Sequence, residues 1–413
     1  MPEKIHILGA GIVGICSALS LLERGYAVEL IDRSAPGSGA SSGNAGVVSP
    51  WSCIPQSMPG VWKKIPAWLL KSDGPLTVRW RYLPAVVPWF VRFLQAGSLD
   101  KLPQIADAMN ALNRPNVDLY TAHLRGTGSE DLLARSLYVH AFKDPRKADL
   151  NALNWRMRAE RNVPLEHVTG GALQEIEPEL SSEYRAAVLL KGQARARDPG
   201  ALAEALAQKA VMMGATFTRA ITYSLKPVEG GRWALDTDTG LIVAEKLLIA
   251  AGAWSGKLLE PLGIRLPLEA ERGYHLMFSS PGITVNNSVM DGENLFVASS
   301  MLDGIRCAGT AEFAGLNTPP NYQRAHIFKD LAKQLFPNLQ TEETHEWMGS
   351  RPSFPDSLPC IGQVPGKPRL FAAFGHSHYG FGMAPGTGRL IAEIIAGATP
   401  STDSTPYRIA RFL

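Results

Sequence analysis

Apolar positions in the first 32 residues change period twice. Lys4-Ile5-His6-Ile7-Leu8 is a short apolar run of the kind that forms a buried strand. Ile15, Ala18, Leu19 and Leu22 then recur at helical spacing, and Gly25 stands where a helix end favours a residue free to take positive φ. Val28-Glu29-Leu30-Ile31-Asp32 predicts a second strand, closed by an acid. Farther along, apolar spacing predicts a helix from Pro199 to Met213, a strand near Thr216 to Leu225 and another strand through Leu247-Leu248-Ile249-Ala250. Residues 86–167 read as mainly helical. Residues 264–348 carry short alternating runs, such as Tyr274-His275-Leu276-Met277-Phe278 and Leu295-Phe296-Val297, broken by Gly and Asp, and predict strands. Gly386 to Ala396 predicts a closing helix. The fold class is therefore α/β, α+β overall.

The turn between the first strand and helix is Gly9-Ala10-Gly11-Ile12-Val13-Gly14, a GxGxxG. Gly9 makes the tight turn, Gly11 lets backbone approach a pyrophosphate, and Gly14 lets helix pack on strand. The helix start offers free N–H groups and a positive dipole end to phosphates. Asp32 lies 18 residues after Gly14, near the offset of an acid that holds a ribose hydroxyl. These features in register predict a dinucleotide site. Instead of further strand–helix units, the chain continues into the small-residue run Ser38-Gly39-Ala40-Ser41-Ser42-Gly43-Asn44-Ala45-Gly46. Small side chains and free amides suit a loop pressed against a flat ring system and phosphates; a flexible linker is the rival reading.

Composition narrows the partners. Of 413 residues, 45% are hydrophobic and 19% charged, ordinary for a globular protein. The net charge of +3 gives no reason to expect nucleic acid. Cys16, Cys53, Cys307 and Cys360 stand far apart with no metal-ligand spacing, so neither a metal site nor a disulfide framework is expected. Apolar strand residues begin by Ile5, without the basic region and longer apolar run of a signal peptide, and no apolar stretch is long enough to span a membrane. A cytoplasmic location is expected, with contact at the inner membrane face left open. Five of the nine tryptophans fall between Trp51 and Trp89, among prolines and Lys63, Lys64, Lys71, Arg79 and Arg81. One reading is a membrane-surface or quinone-access patch. The other, favoured by Pro84, Pro88 and their neighbours, is an irregular aromatic excursion packed near the cofactor.

Asp32-Arg33 followed by Ser41-Ser42-Gly43-Asn44-Ala45-Gly46 resembles the D-amino-acid-oxidase superfamily of flavoproteins. So do Leu247 through Ala251-Gly252-Ala253-Trp254-Ser255, Gly349-Ser350-Arg351-Pro352 with Pro359-Cys360-Ile361-Gly362, and Gly375-His376-Ser377-His378-Tyr379-Gly380-Phe381-Gly382-Met383-Ala384-Pro385. These run in the family's order, and Asn44-Ala45-Gly46 with Ser49-Pro50 is similar to its D-amino acid dehydrogenases. The resemblance implies a Rossmann-like FAD-binding domain from 1–85, 168–263 and 349–413. The substrate domain would be 86–167 and 264–348, an antiparallel or mixed sheet with helices. FAD, held non-covalently, would contact Gly9, Gly11, Ile12, Val13, Gly14, Asp32, Arg33, Ser41, Ser42, Asn44, Ala45, Gly46, Ala251, Gly252 and Trp254. From the C-terminal loop it would contact Gly375, His376, His378, Tyr379, Gly380, Phe381, Gly382 and Met383.

The implied reaction is oxidative deamination of a D-amino acid by hydride transfer from Cα to the flavin. Cyclic secondary amines such as D-proline and D-hydroxyproline are the narrower expectation. Arg351 matches the family's carboxylate-binding arginine. His378 falls where glycine oxidase has a second arginine, and its imidazole suits acceptance of the amine proton. Tyr274 and His275 are candidate pocket residues; Phe296 falls near the family's active-site tyrosine and lacks its hydroxyl. Gly382 stands about where sarcosine oxidase has an oxygen-activating lysine, and its lack of that charge favours a dehydrogenase over an oxidase, with the electron acceptor, a quinone or a carrier protein, left open. The alternatives are a glycine- or sarcosine-type oxidase and a non-catalytic flavoprotein subunit.

Overall fold

The computed structural model describes residues 2–71 and 73–413. A six-stranded sheet runs in the order Cys360–Gln363, Leu370–Phe374, Lys246–Ile249, Lys4–Leu8, Ala27–Asp32, Thr216–Arg219. All neighbours are parallel except the antiparallel edge pair Cys360–Gln363 and Leu370–Phe374. Its inner strands Lys4–Leu8, Lys246–Ile249 and Leu370–Phe374 are near-continuous apolar runs because both faces are covered. Helices Ile12–Leu22, Pro199–Met212 and Gly380–Ile395 pack on one face through Ile15, Leu19, Leu202, Leu206, Leu390 and Ile391. The other face meets the antiparallel strands Thr222–Val228, Arg232–Thr237 and Gly240–Ala244 through Leu225, Trp233 and Leu235. The single strand expected near 216–225 is thus two strands in two sheets, parted at Ala220-Ile221.

A second, eleven-stranded mixed sheet is centred on Leu133–Phe142, Ser288–Asp291, Phe296–Met301, Gly304–Ala308 and Glu269–Phe278. Ala186–Ala196 pairs with Leu133–Phe142, and Thr344–Ser353 pairs with Glu269–Phe278 over ten positions. Residues 86–167 therefore carry a long strand as well as helices, built on the alternation Leu137, Val139, Ala141. Likewise Ala186–Ala196, within 168–263, joins the large sheet rather than the parallel one.

Two further elements differ from expectation. The C-terminal helix starts at Gly380, six residues before Gly386, so half of the expected flavin loop is a helix N-terminus. Its glycines admit close neighbours: a Cβ at Gly386 would lie 2.3 Å from the Leu112 carbonyl oxygen. Helix Leu83–Ala96 continues through Pro88, which has no backbone N–H to donate within it. Among the described residues no helix is long and apolar enough to cross a membrane.

Candidate functional site

A cavity of about 1120 Å³ runs between the two sheets. That is slightly above the roughly 300–1,000 Å³ usual for small-molecule sites. It opens at the carboxyl ends of strands Lys4–Leu8 and Lys246–Ile249, where the chain leaves to opposite sides, the position at which parallel α/β sheets bind ligands. Gly9 has φ +116°, and an added Cβ would stand 2.3 Å from the Ala250 carbonyl oxygen. This brings the glycine turn against the Ala250-Ala251-Gly252 turn, and both line the cavity. Asp32 Oδ2 accepts from the Ala10 N–H at 2.7 Å and Oδ1 from the Ser34 N–H at 3.0 Å, which fixes the carboxylate at the cavity rim. The Arg33 guanidinium lies 4.0 Å over the Trp254 ring.

Of the residues expected at the cofactor, Gly9, Gly11, Ile12, Val13, Asp32, Arg33, Ser41, Asn44, Ala45, Ala251, Gly252, Trp254, His376, His378, Tyr379, Gly380, Phe381 and Gly382 line the cavity. Gly14, Ser42, Gly46, Gly375 and Met383 stand behind that wall. Ser41 Oγ accepts the Ile12 N–H at 3.0 Å, tying the small-residue loop to the helix start. Arg306 Nη1 donates to the Ser42 and Asn44 carbonyls at 2.9 and 2.6 Å. The loop is thus a fixed surface rather than a linker. His275 lies outside the lining too. Its Nδ1 meets the Gly43 carbonyl at 3.0 Å and its ring stacks on Trp347 at 5.0 Å, so it braces the loop. The glycine cradle, the pinned small-residue loop and two helix N-termini, at Ile12 and Gly380, fit a dinucleotide carrying a flat ring. None of the four cysteines lines the cavity.

The other end is organised around Glu271, which the sequence reading did not single out. Its Oε1 is 3.3 Å from Arg351 Nη1 and in close contact with His378 Nε2, and its Oε2 accepts from Ser353 Oγ at 2.8 Å. Burial would raise this carboxyl, but His378 and Arg351 overcome it and hold it at about 2. Arg351 also donates to the Thr310 carbonyl at 2.9 Å and remains 21% exposed, toward the cavity. Its guanidinium lies over Gly273, where a Cβ would be 2.1 Å from Nη2. Burial lowers His378 below the ordinary histidine value despite Glu271. The neutral ring therefore donates from Nε2 to Glu271 and leaves the Nδ1 lone pair available. Tyr274 touches the cavity, but its hydroxyl donates to Glu312 at 2.6 Å and accepts from the Asn321 N–H at 3.0 Å. Phe296 packs on Phe328 in the core, while Leu295 and Val297 face the cavity. Tyr138, His140 and Arg158 also line this end.

The histidines give a pH signature. His275 and His376 are each pushed down to about 3 by burial, and His6, His140 and His378 are lowered as well. Between about pH 3 and 6.5 the unfolded chain binds protons that the native one refuses, so stability is full above 6.5 and falls on acidification, by up to about 1.4 kcal/mol per pH unit for each such group. Thermal unfolding should show Tm falling from pH 7.5 to pH 5, above the range where most carboxylates titrate. A flat Tm over that window would refute the assignment of neutral buried histidines.

A model of the DAO family, described as FAD dependent oxidoreductase, matches residues 4–394. The chain is 38% identical to a D-amino-acid oxidase of Bradyrhizobium diazoefficiens, over all of both chains. It is 29% identical to a D-amino acid dehydrogenase of Allorhizobium ampelinum, over 99% of this chain and 98% of that one. Its fold is similar to the crystal structure of L-proline dehydrogenase from P. horikoshii, with TM-score 0.76 at 22% identity, covering 100% of this chain and 98% of that one. The chain belongs to the DAO family of FAD-dependent oxidoreductases.

Proposed function

We propose that the chain oxidatively deaminates D-amino acids to 2-oxo acids and ammonia. The observation that carries this is the Arg351–Glu271–His378 cluster at the far end of a dinucleotide cavity. FAD, held non-covalently by the glycine cradle and the pinned loop, would supply a two-electron acceptor. The chain does the rest. Arg351 holds the substrate carboxylate, and the Nδ1 lone pair of His378 takes the ammonium proton so that the amine is neutral when Cα is oxidised. Glu271 orients both groups. The relatives named D-amino-acid oxidase and D-amino acid dehydrogenase support the stereochemistry.

Electrons pass, in this reading, to an apolar acceptor rather than to oxygen. Gly382 has no side chain to carry a cation, and a Cβ there would already lie 2.8 Å from Asn113 Oδ1. The segment 62–99 supports this reading. Trp62, Leu70 (88% exposed), Trp80 (77%), Leu83, Val87 and Val91 face outward beside exposed Lys63, Lys64, Arg81 and Arg92. From the same segment Ile65, Trp68, Trp89, Phe90 and Phe93 line the cavity. An apolar face edged with cations suits an anionic membrane surface, and its inner side leads a lipid-soluble quinone inward.

Anaerobic mixing with a panel of D- and L-amino acids should bleach the flavin with D-substrates only; no bleaching, or a preference for L, sinks the deamination reading. Repeating turnover with quinone in vesicles tests the acceptor. Faster turnover with anionic than with zwitterionic vesicles is expected, whereas peroxide formed at the turnover rate would identify an oxidase.

A further inference from the structure

Arg158 projects into the cavity from the short helix Leu153–Ala159. Its guanidinium lies 4.7 Å over the Trp155 ring, and Nη1 makes a 3.3 Å bond to the Asn154 carbonyl of its own helix. Nε is buried without a partner, and no carboxylate pairs with this arginine among the described residues. Every other guanidinium of the substrate end is answered: Arg351 by Glu271, Arg272 by Glu312. Tyr138 and His140, two apart on one face of strand Leu133–Phe142, line the same corner. His140 packs edge-on against Trp155 at 5.1 Å, and its Nε2 is buried without a partner. Burial, and then the Arg158 charge, keep that imidazole neutral. Tyr379 lines the same cavity, and both Arg158 and Glu271 act on its hydroxyl. The corner and the Arg351–Glu271–His378 cluster line one and the same cavity.

The charges decide what fits. This end of the cavity holds two guanidiniums against one carboxylate. An amino acid's ammonium and carboxylate cancel, so a neutral substrate leaves the half-buried Arg158 uncompensated, at a cost. A second carboxylate on the substrate removes that cost and gives the guanidinium fork and His140 Nε2 their missing partner.

We propose that Arg158, with Tyr138 and His140, forms a subsite for a side-chain carboxylate, making acidic D-amino acids the preferred substrates. This rests on the D-amino acid reading above and sets its substrate class. With the holoenzyme and a dye acceptor under nitrogen, kcat/KM for D-glutamate or D-aspartate should exceed that for D-glutamine or D-asparagine by about tenfold or more. In Arg158→Gln that ratio should collapse, chiefly through KM, with D-glutamate falling far more than D-alanine. Amides used as well as acids by the wild type would overturn the proposal, as would equal losses for D-alanine and D-glutamate in the variant. A variant-free arm covers misfolding. Glutarate should perturb the wild-type flavin spectrum at about tenfold lower concentration than butyrate, and equal binding overturns the subsite. If no D-amino acid bleaches the flavin, the function reading fails, while the glutarate–butyrate comparison still decides on the subsite.

Discussion

Replacing Arg351 by alanine is expected to lower kcat/KM for the preferred amino acid by roughly 30- to 1,000-fold, mostly through KM, with flavin still bound. The flavin stays because the cradle at Gly9 and the loop pinned by Arg306 make no use of this guanidinium. Arg351 has a second task, however: beside the neutral His378 donor, it is the cationic partner of a carboxylate that is nearly fully buried. Removing one member of a buried pair strands the other, at roughly 3–5 kcal/mol. Stability and affinity can be separated. Arg351→Ala combined with Glu271→Gln removes the stranded charge and should recover most of the lost Tm without recovering KM. Arg351→Lys keeps the charge but not the fork, so it should hold Tm and still raise KM. If the double variant restored KM together with Tm, Arg351 would be a structural ion pair and not the substrate clamp. Steady-state kinetics with a dye acceptor and thermal unfolding on the same preparations decide between them.

The same cluster shows where sequence reading reaches its limit. Arg351 was legible because it sits in a short motif, flanked by Gly349, Ser350 and Pro352. Glu271 carried a weaker signal, an acid alternating with Glu269 at the start of a strand whose apolar run comes only later, and nothing local says that it faces Arg351. That contact is made by ten residues of pairing between Glu269–Phe278 and Thr344–Ser353, about eighty positions apart. Arg158 was less legible still. It lies in a helix with Arg156 and Arg161 nearby, and only the tertiary fold turns one of them inward. His275 went the other way. Alternation places it on the face opposite Tyr274, but its partners are the Gly43 carbonyl and the Trp347 ring, both distant in sequence. Local periodicity found the parallel sheet because its central strands Lys4–Leu8 and Lys246–Ile249 are nearly complete buried runs. It missed the division of 168–263 among three sheets because a strand's partners leave no mark on its own period.

The glycine turn was the most legible feature, and its replacement should be the most severe. Gly9→Ala is expected to yield protein that retains little or no flavin and unfolds at a markedly lower temperature. Two effects add. At φ +116° an L side chain is strained, and the new Cβ would stand 2.3 Å from the Ala250 carbonyl oxygen, 2.5 Å from its carbon and 2.9 Å from Ala251 N. All three are backbone atoms of a strand end that cannot swing aside as a side chain does. Relief requires parting strands Lys4–Leu8 and Lys246–Ile249, whose ends are locked by the Ala250 N–H to Leu8 carbonyl bond at 2.8 Å. Strain and overpacking together should cost about 3 kcal/mol or more. The displacement falls on the two turns that form the dinucleotide wall, so affinity should suffer beyond the stability loss. Gly25→Ala is the control: it too has positive φ, +82°, but a Cβ there meets nothing within 4 Å. It should lose only about 1–2 kcal/mol and keep its flavin. Absorbance of the purified proteins at the flavin band, set beside their Tm values, reads both effects. A fully yellow Gly9→Ala protein with unchanged Tm would mean that the turn relaxes without cost and that the cradle is not what holds the cofactor.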